Sequence, residues 1–341
     1  MISSTFAGVS ESEDSAPGPQ GTGDEAHRGQ AARRPDEQKA WTVAHVLQWT
    51  VARFTQLGLD GPRTDAEYLL AHALKCARVD LYVRFDMVVG AEERARFREL
   101  VRRRLAREPV AYIEGTRGFH ALDLELAVDK RVLVPRPETE LLVDWVLERL
   151  TVLDVEASAD DPDAPPATRP QTEGTILDVG TGSGAIALSI KRARPGLRVV
   201  ASDVSVDALA VARGNAERAE LDVEFHSADV YAGVPDVGGW SVIVSNPPYI
   251  DTDVLAGLAP EVRDWEPSLA LDGGADGLDV VRRLVAEARD RLTPGGFLAL
   301  EIGFDQSERV VALMTAAGLT NVQTRNDHDG HVRMVMGDAP S

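Results

Sequence analysis

The sequence contains one cysteine, Cys76, in 341 residues, which excludes an internal disulfide framework and any site built from several cysteine ligands. A reducing, cytoplasmic setting is therefore expected, with Cys76 a small buried apolar residue rather than a nucleophile. Long apolar runs are also lacking. No stretch approaches the roughly 20 residues needed to span a bilayer, and residues 1–39 lack the basic start and apolar run of a signal peptide. Positive charge is scarce: 36 Lys and Arg stand against 55 Asp and Glu, a net charge of −19. Tight, sequence-independent binding to nucleic acid depends on Lys and Arg releasing counterions from phosphates, so that class is disfavoured. The deficit is uneven, with net charges of −3 over residues 1–40, +2 over 41–115 and −18 over 116–341.

Residues 1–40 are short of large apolar side chains and rich in Ser, Gly, Pro and charge, so they read as a disordered tail that cannot bury enough surface to order itself. From Trp41 the pattern changes. Val43, Val46, Leu47, Val51, Phe54 and Leu57 recur at helical spacing between an N-cap at Thr42 and a stop at Gly58. A second helix is predicted from Thr64, with Thr64 and Glu67 as a capping box. A third, Ala91 to Arg107, turns Phe97, Leu100, Val101 and Leu105 inward and its arginines outward. Together they predict a helical domain over 41–115. Leu122, Leu124, Leu126 and Val128 alternate with polar residues, and Asp129-Lys130 suggests a turn into Val132-Leu133-Val134. That predicts a β-hairpin connector over 116–136.

Pro137 suits the first position of a helix through Leu141, Leu142, Trp145 and Val146, followed by an acidic, Pro/Ala-rich flexible insertion over 154–174. Beyond it, strands at 175–179, 197–202, 222–227, 240–245 and 297–302 alternate with helices near 185–194, 205–217, 277–292 and 305–317. The alternation predicts an α/β fold: a doubly wound, mostly parallel, Rossmann-like sheet over 137–341, joined by the hairpin to the smaller helical domain.

Three places carry candidate chemistry. Strand 176–179 runs into Gly180-Thr181-Gly182-Ser183-Gly184 and then a helix, where glycines permit a tight turn and bare backbone against a ligand. This suggests an adenosine-containing cofactor, although with Ala185 the loop also satisfies a nicotinamide-type pattern. Asp203 closes the next strand about 20 residues on, where an acid takes both ribose hydroxyls; as a helix N-cap it is redundant with Ser205. Asp229 is placed either to approach an adenine amino group or to face water. The decisive stretch is Asn246-Pro247-Pro248-Tyr249, at the end of the apolar strand 240–245. Consecutive prolines remove two N–H groups and hold φ, so the carbonyls point in set directions. An amide or aromatic amine nitrogen is a poor nucleophile because its lone pair is delocalised. Accepting its two hydrogens, at the Asn246 side-chain carbonyl and the Pro247 carbonyl, orients it for in-line attack without metal or covalent intermediate, while Tyr249 packs on the planar acceptor.

Gly180 to Gly184, Asp203 and Asn246 to Tyr249 together resemble the amino-group subset of class I methyltransferases. The blocks 108–115 (EPVAYIEG), 132–140 (VLVPRPETE), Glu266-Pro267 and 271–278 (LDGGADGL) are similar to the release-factor glutamine methyltransferases, the PrmC or HemK family, and the similarity spans Trp41 to Gly337. The resemblance implies S-adenosylmethionine as cofactor, held by Gly180 to Gly184, Asp203, Asp229, Val230 and Asn246. It further implies N5-methylation of the glutamine in the Gly-Gly-Gln motif of peptide chain release factors, with Asn246, Pro247 and Tyr249 catalytic. Pro248 and Phe119 join them on the acceptor, and the helical domain holds the factor. The sequence departs from the family pattern at Gly118, where relatives usually carry glutamate, and at Val230, where many carry an aromatic residue.

Three alternatives compete with this reading. A nucleic-acid methyltransferase would use the same Asn246 to Tyr249 core but needs a basic surface. The arginines at 94, 98, 102, 103, 104 and 107 offer one only if they form a patch and not a solvated face. A non-catalytic relative would be expected to lose one of the three signatures, and a dehydrogenase leaves Asn246 to Tyr249 unexplained and offers no evident hydride-transfer acid, since His120 and His226 have no partner identifiable in the sequence. A monomer with no stable nucleic-acid or membrane partner is expected. Removal of residues 1–38, which lack an apolar docking face, is expected to leave methylation of a purified release factor nearly unchanged in a labelled-methyl transfer assay.

Overall fold

The computed structural model describes residues 41–120, 124–158 and 174–340. The expected tail, Leu122 and most of the expected insertion lie outside these residues. Helix α1 (Val43–Gln56) begins where Thr42 Oγ1 accepts the His45 N–H, and ends at Leu57 just before Gly58. Helix α2 (Pro62–Leu74) starts earlier than expected. Pro62 occupies the first turn, where an N–H would have no partner, and Gly61 supplies the left-handed entry. Thr64 is therefore not the cap. Glu67 is buried instead, taking the Arg63 guanidinium and the Tyr82 hydroxyl, each at 2.8 Å. The short α3 (Asp80–Val83), α4 (Ala91–Leu105) and α5 (Val110–Glu114) complete a bundle whose core joins Phe54, Leu69, Leu70, Phe97 and Val101. Cys76 is half-buried against that core.

The connector is a hairpin, but not the expected one. Strand β1 (Thr116–Phe119) pairs antiparallel with β2 (Leu124–Ala127), Phe119 opposite Leu124, so the reversal falls before Leu124 and not at Asp129-Lys130. Val132 to Val134 is no strand. Asp129 Oδ1 accepts the Arg131 N–H in a local turn, and the Tyr112 hydroxyl donates to the Val132 carbonyl at 2.6 Å. Val132 and Val134 then pack on Tyr112, Ala208 and Val211; that burial takes the place of a ladder. The following helix α6 (Pro137–Ser158) starts at Pro137 as expected but runs through 154–158, part of the expected insertion.

The remaining elements are β3 (Thr175–Val179), α7 (Ala185–Ala193), β4 (Arg198–Asp203), α8 (Val206–Ala219), β5 (Glu224–Ser227), β6 (Trp240–Ser245), α9 (Pro260–Arg263), α10 (Asp279–Arg291), β7 (Leu292–Glu301), α11 (Ser307–Ala316), β8 (Thr320–Asn326) and β9 (Val332–Asp338). Seven strands form one sheet in the order β5-β4-β3-β6-β7-β9-β8. The first five are parallel, and β9 and β8 add antiparallel. Successive side chains on a strand face opposite sides. Ile176, Val242, Val244 and Phe297 accordingly enter a core with α6 and α7, while Leu177, Ile243 and Leu298 enter another with α10 and α11. The sequence pattern missed the last two strands. Thr320–Asn326 is an edge strand whose side chains are mostly exposed, so it shows no apolar alternation.

Chain order reverses between β3 and β6: β3 leads outward to β4 and β5 on one side, and β6 returns to pair on the other. In such sheets the crevice beyond the strands' carboxyl ends, at the point of reversal, is where ligands fit.

The arginines of α4 are not all turned outward. Arg104 is 5% exposed, and its Nε and Nη2 reach Asp65 at 2.7 Å and Glu261 at 3.1 Å. Arg107 also reaches Glu261, and Arg103 holds Glu108 and the Tyr112 and Ile113 carbonyls. The bonds of Arg104 and Arg107 to Glu261 fasten the helical bundle to α9 of the sheet-bearing part. Arg104→Met removes the cation between two carboxylates and is expected to destabilise the fold by about 2–4 kcal/mol. The range is set somewhat below that of a fully buried pair because both acids keep some solvent contact. Denaturant unfolding monitored by tryptophan fluorescence reads the loss.

Candidate active site

A cleft of about 430 Å³ opens at the carboxyl ends of β3, β4 and β6, within the size range of small-molecule sites. One wall is the glycine loop. Gly180, Gly182 and Gly184 all have positive φ, but for different ends. A Cβ at Gly180 or Gly182 would meet nothing within 4 Å, whereas one at Gly184 would stand 3.0 Å from Leu188. The first two leave bare backbone along the cleft, and the third lets α7 close on α8. Beneath the loop, Asp178 Oδ2 accepts the Thr181 hydroxyl at 2.6 Å and the Ala187 N–H at 3.1 Å. Burial pushes the Asp178 carboxyl up to about 7 against those two bonds.

Asp203 stands at the end of β4 and lines the cleft. Its Oδ2 accepts the Gly182 N–H at 2.9 Å and its Oδ1 the Ser205 N–H at 2.8 Å. Ser205 caps α8 through Ala208, so Asp203 is not needed for that role. Each carboxylate oxygen takes one backbone donor and keeps acceptor capacity for a ligand hydroxyl. Burial raises its carboxyl above the usual range, opposed by the Ser205, Gly182 and Val204 N–H groups. Asp229 lines the cleft too, but its carboxylate is paired with Arg283 at 2.9 Å. Val230 next to it has φ +55°, an outlying conformation for a β-branched residue. The reciprocal Asp229–Ala232 backbone bonds, both 3.0 Å, hold this turn closed.

The opposite wall is Asn246-Pro247-Pro248, preceded by Ser245, whose hydroxyl donates to the Val179 carbonyl at 2.6 Å and ties the ends of β6 and β3 together. The Asn246 Nδ2 donates to Thr139 Oγ1 at 3.0 Å, and Thr139 donates in turn to Glu301 Oε2 at 2.6 Å. Tyr249 is not among the cleft-lining residues. Its hydroxyl donates to Glu301 Oε1 at 3.3 Å and the Arg333 guanidinium lies over one face of its ring, so it braces the wall from behind. Phe119, expected on the acceptor, is 2% exposed in the core with Leu124, Leu126 and Leu142, where hairpin register aims it inward. Gly184 likewise supports the loop from behind without lining the cleft.

Tertiary structure explains why the separate sequence blocks belong together. Arg136 forks both oxygens of buried Glu266 at 2.7 Å, and the loop 271–277 lies backbone to backbone on Asn246 to Tyr249. A Cβ on Gly273 would stand 2.8 Å from the Pro248 carbonyl, and one on Gly277 would overlap the Tyr249 carbonyl. Gln306 Nε2 holds that Tyr249 carbonyl at 2.9 Å. Sequence reasoning missed Thr139, Glu301 and Gln306 as site residues. A carboxylate closing the apolar run Phe297–Leu300 was the available signal for Glu301.

Residues 45–115 match the family model of the PrmC N-terminal domain, and residues 166–257 that of the methyltransferase small domain. With the switch-point cleft between a glycine loop and Asn-Pro-Pro-Tyr, the fold and site define a methyltransferase of the class that uses S-adenosylmethionine. The release factor glutamine methyltransferase of Geobacter sulfurreducens is 39% identical over 302 residues, covering 89% of this chain and 98% of that protein. That of Rhodopirellula baltica is 41% identical, covering 77% and 84%, and that of Caulobacter vibrioides 40%, covering 87% and 96%. This chain belongs to the release factor glutamine methyltransferase family.

The donor set fits the cofactor: an acid with spare acceptor capacity beside a bare-backbone loop in a largely apolar cleft. Asp203→Ala is expected to weaken S-adenosylmethionine binding by about 1.5–3 kcal/mol for each charge-assisted hydrogen bond lost. Titration calorimetry on protein with unchanged circular dichroism reads this, and an unaltered affinity would leave Asp203 only its loop-holding role.

Proposed function

We propose that the chain transfers a methyl group from S-adenosylmethionine to the side-chain N5 of the glutamine in the Gly-Gly-Gln motif of peptide chain release factors. The observation that carries this reading is the orientation of Asn246, whose amide nitrogen is engaged by Thr139, leaving its oxygen as the acceptor. Gly180 to Ser183 and Asp203 are the groups suited to hold the cofactor, which when bound supplies an electrophilic methyl on sulfonium sulfur. Asn246 Oδ1 accepts one hydrogen of the substrate amide and the Pro247 carbonyl the other. Two fixed acceptors orient the nitrogen and localise its lone pair; as the nitrogen–carbon bond formed, the carbon–sulfur bond would break to leave a neutral thioether, and the nitrogen would lose one of those hydrogens as a proton to solvent. Such positioning acts in the transition state more than in the ground state. Arg136, held by Glu266, and the half-exposed Leu269 and Pro267 line the same cleft and form the acceptor's approach.

A nucleic-acid acceptor is the less supported reading. Arg102, Arg103, Arg104 and Arg107 are bonded to carboxylates of the same chain, which leaves two of the six arginines that a basic patch would need outside such pairs among the described residues. The helical bundle, matching the family's N-terminal domain, is proposed to hold the release factor, with the enzyme a cytoplasmic monomer.

Incubation with labelled S-adenosylmethionine and separate release factor, ribosomal protein, DNA and RNA tests the substrate: label is expected on release factor alone. Asn246→Ala is expected to lower kcat by about 10²–10³ while changing either ligand's affinity far less. Asn246→Asp, which keeps one acceptor oxygen but adds charge beside the sulfonium, is expected to bind cofactor and still methylate poorly. Steady-state kinetics of both variants decide it, and a wild-type rate for Asn246→Ala would remove the mechanism.

A further inference from the structure

Asn246 can act only if its side-chain amide presents oxygen, not NH₂, to the cleft, and the two orientations have almost the same shape. We propose that Thr139 and Glu301 are positioning residues that set this orientation through the hydrogen-bonded chain Glu301–Thr139–Asn246. The inference rests on the proposed role of Asn246.

Donors and acceptors fix the orientation. Thr139 has a single hydroxyl proton. A Glu301 carboxylate, which has no proton to give, takes it at 2.6 Å. Thr139 Oγ1 is then left with lone pairs only, so the Asn246 group 3.0 Å away must be the NH₂, and Oδ1 turns toward the cleft. Thr139 lines the cleft beside Asn246, but Glu301 is fully buried behind it and cannot touch either ligand without displacing Thr139. When Glu301 carries a proton, it can donate to Thr139, whose own proton then becomes free for Asn246. The amide can reverse and offer NH₂ to a substrate that is itself a donor, a repulsive arrangement.

The groups facing Glu301 make this protonation accessible. Burial pushes its carboxyl up to about 7, opposed by the Thr139 hydroxyl, the Arg333 guanidinium on β9 and the Tyr249 hydroxyl, and reinforced by Glu138 on α6. Burial holds the Tyr249 phenol above its usual range, so it remains a donor to Glu301 Oε1 throughout. The orienting form is the carboxylate. Activity governed by this chain is therefore low below the Glu301 titration and rises with pH through about 7.

The test uses full-length enzyme with purified release factor. Thr139→Val, which keeps shape and removes the hydroxyl, is expected to lower kcat by about 10- to 100-fold, by analogy with the loss when a hydrogen-bond partner that orients a metal-binding side chain is removed. KM for S-adenosylmethionine should be nearly unchanged, and Thr139→Ser should restore kcat. Wild type should show an acid limb in kcat near neutrality that Glu301→Gln abolishes. In ligand-free protein labelled with ¹⁵N-asparagine, the Asn246 side-chain amide resonance should shift through the same pH range in wild type and not in Glu301→Gln. This readout holds even where Thr139→Val fails to fold. Wild-type kcat in folded Thr139→Val, or an acid limb and amide shift that persist in Glu301→Gln, would overturn the inference. Loss of rate in Asn246→Ala alongside full rate in Thr139→Val would overturn it while sparing the proposed role of Asn246; full rate in Asn246→Ala would overturn both the inference and that role, and the substrate assignment is decided separately by the labelling panel.

Discussion

Two consecutive prolines at the end of β6 give the site wall its stiffness and also its central structural difficulty, because Pro247 and Pro248 have no N–H with which to be fastened. The segment is held through everything else it possesses. Ser245 reaches the Val179 carbonyl, Asn246 is bonded by its side chain to Thr139, and the Tyr249 carbonyl takes Gln306. Just beyond, the Ile250 N–H donates to the Leu271 carbonyl and the Ile250 carbonyl accepts the Gly273 N–H, both in the loop that ends at Gly277. Each partner comes from a different part of the chain: β3, α6, the start of α11 and the loop before α10. The rest of the catalytic half can be understood as the scaffold that delivers those partners to one place.

Buried carboxylates have the same character. Glu67, Asp178, Glu266 and Glu301 are all buried, and a buried charge is costly without partners. Glu67 and Glu266 have arginines at 2.8 and 2.7 Å. Asp178 and Glu301, at the core of the cofactor and acceptor walls, instead have hydroxyl donors and are both held near neutrality. Arginine serves where parts are fastened together, and hydroxyls serve where a neighbouring loop or amide has to be oriented. The acidic surplus of the sequence is in this way partly internal, and so is the arginine surplus of α4.

Much of this was legible in residue order. The inner parallel strands β3, β4, β6 and β7 show as short apolar runs, because both their faces are buried and alternation cannot mislead. The glycine loop, Asp203 and Asn246 to Pro248 sit at strand ends, and strand ends are determined locally. Reasoning failed where a residue's role depends on a partner remote in sequence. Thr64 is the exception, a local misreading, since Gly61 and Pro62 beside it take the start of α2. Val132 to Val134 looked like a strand until Tyr112 and α8 covered it. Thr320–Asn326 gave no signal because an edge strand exposes its side chains and is held by backbone bonds, which composition does not reveal.

The sequence by itself determined the fold class, the cofactor loop and the position of the acceptor segment, since each is a local pattern of backbone freedom, stiffness or apolar periodicity. Tertiary structure alone decided which way the side chains at those positions face. Register turned Phe119 into the core, and the hydroxyl that β7 receives from Tyr249 took that residue out of the cleft. Thr139, 107 residues from Asn246, became its hydrogen-bond partner because β6 and the first turn of α6 end side by side, a proximity that no local pattern encodes.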